Sequence, residues 1–100
     1  MASERLVSGT PMQTTANAYS DPGNAFHCGV WEGGVGAWRV ACTEHEFCHL
    51  LSGHIYMRGD DGSETILFAG DRFVIPVGFE GIWEVLEPAR KLYAAYEPPA

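Results

Sequence analysis

The residues best equipped for chemistry crowd into one short run, Glu44-His45-Glu46-Phe47-Cys48-His49. Within it, His45-Glu46-Phe47-Cys48-His49 spells H-E-x-x-H. On a helix that spacing puts two imidazoles on one face, where they chelate zinc beside a glutamate base. The setting here is a strand, entered at Glu44 and closed by Ser52-Gly53. At about 3.3 Å per residue, His45 and His49 then stand roughly 13 Å apart with Glu46 on the other face. Ligand bonds near 2 Å cannot close on one ion from there, so a zinc protease is set aside. Strand alternation instead groups Glu44, Glu46, Cys48 and Leu50 on one side and His45, Phe47, His49 and Leu51 on the other. Further on, Gly81, Trp83 and Val85 share a face, as do Lys91 and Tyr93.

Many short strands have to carry these groups. Apolar runs recur at Ala25–Trp31, Ala37–Thr43, Glu46–Ser52, His54–Arg58, Thr65–Phe68, Asp71–Ile75, Gly81–Leu86 and Lys91–Glu97. Turn signals separate them, the strongest being Asp60-Asp61-Gly62, where Asp-Gly supplies the positive φ that a tight hairpin needs. Strands at near-regular spacing with no long helical period predict an all-β sandwich or small barrel. Residues 1–24, rich in Ser, Thr, Gly, Pro and Asn, read as an irregular N-terminal arm with at most one edge strand. Residues 25–100 read as the barrel.

One hundred residues, 46% hydrophobic and 19% charged, make one small globular domain. A net charge of −7 argues against nucleic acid and anionic membranes, whose binding needs basic patches. No apolar run is long enough to span a membrane, and three cysteines fit no disulfide framework. A cytoplasmic protein is expected.

Two glycine-bounded segments resemble the paired motifs of the cupin superfamily. The first has Glu46, six residues and Gly53; the second has Gly70, Pro76 and Gly78 in G-x5-P-x-G. Gly29-Val30-Trp31-Glu32, Glu44-x-Glu46-x-Cys48, Trp83-Glu84-Val85-Leu86-Glu87 and Arg90-Lys91-x-Tyr93 are similar to the short single-domain cupins around ureidoglycine aminohydrolase and EutQ-type proteins. The resemblance implies a single-domain, antiparallel jelly-roll β-barrel of the RmlC-like kind. It also implies a metal held by an H-x-H pair, the motif-one Glu and a later His. The H-x-H positions fall on Arg39 and Ala41, or one residue along on Val40 and Cys42, and the later His position falls on Gly81. Glu46 alone keeps its ligand type, so no metal or other cofactor of the usual kind is expected.

The same resemblance places Glu46 inside the barrel, and alternation brings Glu44 and Cys48 with it. Trp83, Tyr93 and Lys91 complete the expected pocket. A carboxylate midway along a buried face is costly unless paired, so Glu46 is the candidate acid–base group. Unpaired, it would tolerate Glu46→Gln without loss of stability; Lys91 is the partner that would reverse this. The expected function is uptake of a small polar metabolite into the barrel. The alternative is a metal-dependent, aminohydrolase-like enzyme using Glu46 with Glu44 or Cys48 and a divalent ion. Phe47, Leu51 and the arm offer apolar surface for a homodimer.

Overall fold

The computed structural model describes residues 3–8 and 13–99, the first six through their backbone. They form eight strands: β1 (Ser3–Ser8), β2 (Gln13–Ser20), β3 (Phe26–Gly33), β4 (Gly36–Ala41), β5 (His45–Gly59), β6 (Glu64–Phe68), β7 (Arg72–Ile75) and β8 (Glu80–Tyr96). No helix among the described residues is long and apolar enough to cross a membrane. All pairings are antiparallel.

The two long strands organise everything. β5 and β8 lie side by side for nearly their whole length, from His45↔Tyr96 to Gly59↔Gly81. Both bend midway, and each half gathers its own neighbours. The upper half reads β1-β4-β8-β5-β6, and the lower half reads β2-β3-β8-β5-β7. The result is an all-β jelly roll whose outer strands β1, β2, β6 and β7 leave the sheet open.

Sequence accounts for the bend. Gly53 takes φ +96°, and a Cβ there would lie 2.5 Å from the Pro88 carbonyl oxygen and 2.6 Å from the Ala89 Cα. That left-handed backbone and close approach both demand glycine. Opposite it, Pro88 cannot donate to the ladder. The register slips there, from Ser52↔Arg90 to His54↔Glu87. Runs read from the sequence as two strands on either side of Gly53, and two on either side of Pro88, are therefore single bent strands. The Asp60-Asp61-Gly62 hairpin forms as expected, with Gly62 at φ +90° and its N–H donating to the Gly59 carbonyl at 3.0 Å.

The N-terminal segment is more ordered than an irregular arm. β1 pairs with β4 and β2 pairs with β3; residues 1–2, 9–12 and 100 lie outside the described residues. The apolar period is silent on β2 because its residues, QTTANAYS, are small or polar and all exposed. Backbone pairing to β3, not burial, makes it a strand. Inside the jelly roll, Leu50, Ile55, Val85 and Cys48 are fully buried. Around them pack Trp31, Trp38, Met57, Leu67, Ile75 and Trp83.

Candidate functional site

Between the two halves the interior does not close completely. A cavity of about 660 Å³ opens there, lined by β2, β3, β4 and β8, with Glu44, Glu46 and Ile75 beneath. Its walls are largely aromatic. Trp31 meets Trp38 and Trp83 edge-on, with ring centroids 6.1 and 6.0 Å apart, the arrangement that ring quadrupoles favour.

The polar centre is Lys91. Register sets it opposite Trp31 on β3 and Leu50 on β5, so its side chain enters between the sheets. Nζ lies 3.1 Å from Glu46 Oε1, 4.5 Å from the Trp83 ring and 5.3 Å from the Trp31 ring. The lysine side chain is 9% exposed and the glutamate 21%. Burial works against the ammonium, but the Glu46 charge and the groups around it outweigh that cost and hold the lysine above its ordinary value. Lys91 is thus a fixed cation. A carboxylate and two tryptophan faces surround it.

Two further contacts tie the cavity to the edge strand. Trp31 Nε1 donates to Gln13 Oε1 at 2.8 Å, and the Tyr93 hydroxyl donates to Asn17 Oδ1 at 3.0 Å. His27, also in the lining, is held by Ser20 through Nδ1 and by the Asn24 carbonyl through Nε2.

Of the residues read from the sequence, the structure brings Glu44, Glu46, Trp83, Lys91 and Tyr93 together around the cavity. Glu44 is buried at 8% exposure. Cys48 is a correction. It points inward but is wholly buried in the packed core and does not line the cavity. Burial is the main cause that pushes its thiol up to about 12, against the pull of Lys91. A thiol so far from ionising is an inert filler. Glu46 is not an unpaired buried acid, so the tolerance of Glu46→Gln expected on that basis is replaced by its opposite. Trp38, His27 and the edge-strand residues Gln13, Thr15 and Asn17 were not singled out from the sequence, and Trp31, Val40 and Cys42 entered only as motif positions. The tryptophans could have been found by carrying strand alternation from Trp83 to its register partner Trp38.

The usual cupin metal set does not fit these side chains. Val40 and Cys42 face the cavity, while Arg39 turns outward to bind Asp60; the second register was the right one. Gly81 has no room for a side chain, since a Cβ would fall 2.2 Å from the Arg58 carbonyl oxygen. Glu46 already holds an ammonium. Among the described residues, no three His, Cys, Asp or Glu side chains converge as a metal-binding group.

A bent two-sheet jelly roll around a pocket of this kind defines a cupin. The profile of the EutQ-like cupin domain matches residues 20–93, and the chain belongs to that family. It is similar to a putative ethanolamine utilization protein Q from Salmonella typhimurium, with 20% identity and a TM-score of 0.76 over 87% of this chain and 71% of that one. It is similar also to the Clostridium difficile EutQ protein, with 20% identity and a TM-score of 0.77 over 88% and 64%. At these identities the likeness is one of fold. A DUF861 family protein from Thermotoga maritima is 33% identical, with a TM-score of 0.63 over 64% of this chain and 73% of that one. The chain thus spans between 64% and 73% of these proteins. No curated protein sequence matches it.

Proposed function

We propose that the protein takes a small polar metabolite into the cavity and reads it with the Lys91–Glu46 pair. The observation that supports this is the pair's position: a nearly buried ion pair facing open space rather than packed core. Replacing such a pair by hydrophobic residues is often neutral or stabilising, so stability gives weak reason for its presence. A ligand gives a better one. Lys91 offers its remaining N–H groups and Glu46 an acceptor, and the tryptophans wall the site from water. Ligand sites commonly combine such apolar walls with a few fixed polar groups. Glu46 is the group placed to accept or return a proton.

The test is native mass spectrometry of the purified protein, followed by thermal shift with the molecule that copurifies. Any ligand selective for the folded state raises the melting temperature with concentration. Lys91→Met combined with Glu46→Met should fold and lose that response. A cavity that retains nothing and responds to no metabolite pool would refute the reading.

A further inference from the structure

Hydrogen bonds have a direction, and two groups at the edge of the cavity can serve in one direction only. An indole N–H donates, and a backbone carbonyl accepts. Trp31 Nε1 meets Gln13 Oε1 at 2.8 Å, so the Gln13 amide turns its oxygen to the ring and keeps its NH2 for another partner. The Asn24 carbonyl fixes a longer chain. It lies 3.1 Å from His27 Nε2, so that nitrogen carries the ring proton. In the uncharged imidazole Nδ1 is then an acceptor, and the Ser20 hydroxyl donates to it at 2.8 Å. Having given its only proton, Ser20 Oγ accepts from Asn17 Nδ2 at 2.8 Å. Asn17 thus shows its oxygen to Tyr93, whose hydroxyl donates to it at 3.0 Å. The last link needs Gly29, since a Cβ there would lie 2.9 Å from the Tyr93 hydroxyl and 2.3 Å from the Ala16 carbonyl oxygen. Local backbone holds the far end. Asn24 sits at φ 56°, a left-handed conformation that Asn tolerates, and Asp21 Oδ1 accepts from the Ala25 and Phe26 amides.

We infer that this chain makes Tyr93 a specificity-determining residue: its hydroxyl proton is committed to Asn17, so a ligand must meet its oxygen with an N–H or O–H donor. The inference rests on the cavity being a ligand site, and it adds the polarity of one end of the ligand. Lys91 and Tyr93 share a face of β8 two residues apart, about 7 Å along the strand. A small molecule can therefore reach both. At the Lys91–Glu46 pair it finds a donor and an acceptor side by side; at Tyr93 it finds an acceptor only. The ligand class is a molecule with a hydroxyl or N–H group at the Tyr93 end. An ether, ester or carboxylate oxygen placed there would set lone pair against lone pair, and a polar group left unpaired in such a site is what rejects a near-isostere. In this role Asn17, Ser20 and His27 are positioning residues, acting on a ligand through Tyr93.

Indole and benzofuran are suitable probes, because they share a bicyclic shape and differ by N–H against O at one ring atom. All three tryptophans of the chain line the cavity, so their indole N–H resonances in nitrogen-15-labelled protein report its occupancy. At mildly alkaline pH, wild type should bind indole several-fold to about tenfold more tightly than benzofuran, the worth of one net hydrogen bond. Tyr93→Phe should bind the two alike. Asn17→Ala, which frees the Tyr93 proton, should narrow the preference, whereas Asn17→Asp, which still accepts from Tyr93, should keep it. A second readout needs no ligand: long-range proton–nitrogen correlation should find the uncharged His27 ring protonated at Nε2. Wild type that binds both probes equally, or neither, would overturn the proposal. So would a preference that persists in Tyr93→Phe or is unchanged in Asn17→Ala, or a His27 ring protonated at Nδ1 alone. Each of these failures leaves metabolite uptake standing, because a molecule that copurifies in the cavity is detected by its mass whatever group faces Tyr93.

Discussion

Where β5 and β8 run beside β6 and β4, the inward positions Leu67, Ile55 and Val85 meet in one register row and leave no space. Elsewhere in the same interior, Glu46, Ala95, Tyr93, Lys91 and Trp31 face Trp38, Val40 and Trp83 around a cavity of about 660 Å³ that stays open. Pleat, pairing and strand are common to both halves. The difference lies in side-chain type. Branched aliphatics interdigitate to interior density. Large rings braced edge-to-face around an ion pair hold their walls apart. The Leu67–Ile55–Val85 row is therefore built for stability and the cavity lining for access, and substitutions should separate the two.

The largest contrast is in the cost of truncation. Ile55→Ala removes a fully buried side chain from the packed half and should cost about 2–5 kcal/mol, because transfer and cavity terms add. Val40→Ala, on the cavity wall, deletes atoms beside existing space and should cost about 1 kcal/mol. Urea denaturation of both variants measures the difference. Equal costs would mean that the cavity wall is packed as tightly as the Leu67–Ile55–Val85 row.

Next comes the ion pair. Lys91→Met leaves the Glu46 carboxylate facing tryptophan without its cation. Loss of one partner of a buried pair costs 3–5 kcal/mol, and the partial exposure of Glu46 puts this case near ~3 kcal/mol. The double variant Lys91→Met with Glu46→Met should recover most of that. A double-mutant cycle gives the coupling directly; additive effects would show that the pair is not formed in solution.

Much of this contrast was readable in the chain. The cupin resemblance placed Glu46 inward, and period-two alternation put Cys48 on its face and Trp83 with Val85 on another, because a pleated strand leaves no third choice. The Gly-Pro-Gly spacing at Gly70, Pro76 and Gly78 carried the fold. Three things were not readable. β2 has no apolar side to betray it, since Gln13, Thr15 and Asn17 reach the cavity as polar residues on an edge strand. The split between cavity and core is set by tertiary packing, which left Cys48 in the core and Glu46 at the opening. The metal-position register could be off by one, and only the pairing Trp38↔Trp83 shows Val40 turned inward.

An alkaline titration sharpens the comparison further. The Cys48 thiol titrates at 9.0 in an ordinary setting and is raised to about 12 by burial in the fold. Between these values the unfolded chain releases a proton that the native state keeps. Stability must then fall as pH rises, by about 1.4 kcal/mol from pH 8 to pH 10 for this one group. Lys91, raised above 10.5, also stabilises at lower pH and is lost at higher pH, but only once pH exceeds the ordinary lysine value. Tyr56 and Tyr93, also raised from their ordinary 10.0, join the decline only as pH nears 10, so its onset around pH 9 belongs to Cys48. Urea unfolding from pH 8 to 10 should show it in wild type and show it diminished in Cys48→Ala.

The smallest effect concerns β2, which has no buried residue yet helps to wall the cavity. Asn17→Ala removes the acceptor of the Tyr93 hydroxyl, an exposed bond at 3.0 Å. Water replaces it readily, so global stability should change by about 0.5 kcal/mol or less. Local stability should change more. An edge strand paired on one side and lacking apolar anchors sits at the low end of the stability range, where opening does not require global unfolding. Hydrogen exchange at the β2 amides should quicken in Asn17→Ala while the β5 and β8 amides keep their wild-type rates. Equal acceleration in all three strands would mean that β2 opens only with the whole fold. In that case the cavity wall is as cooperative as the packed core above it.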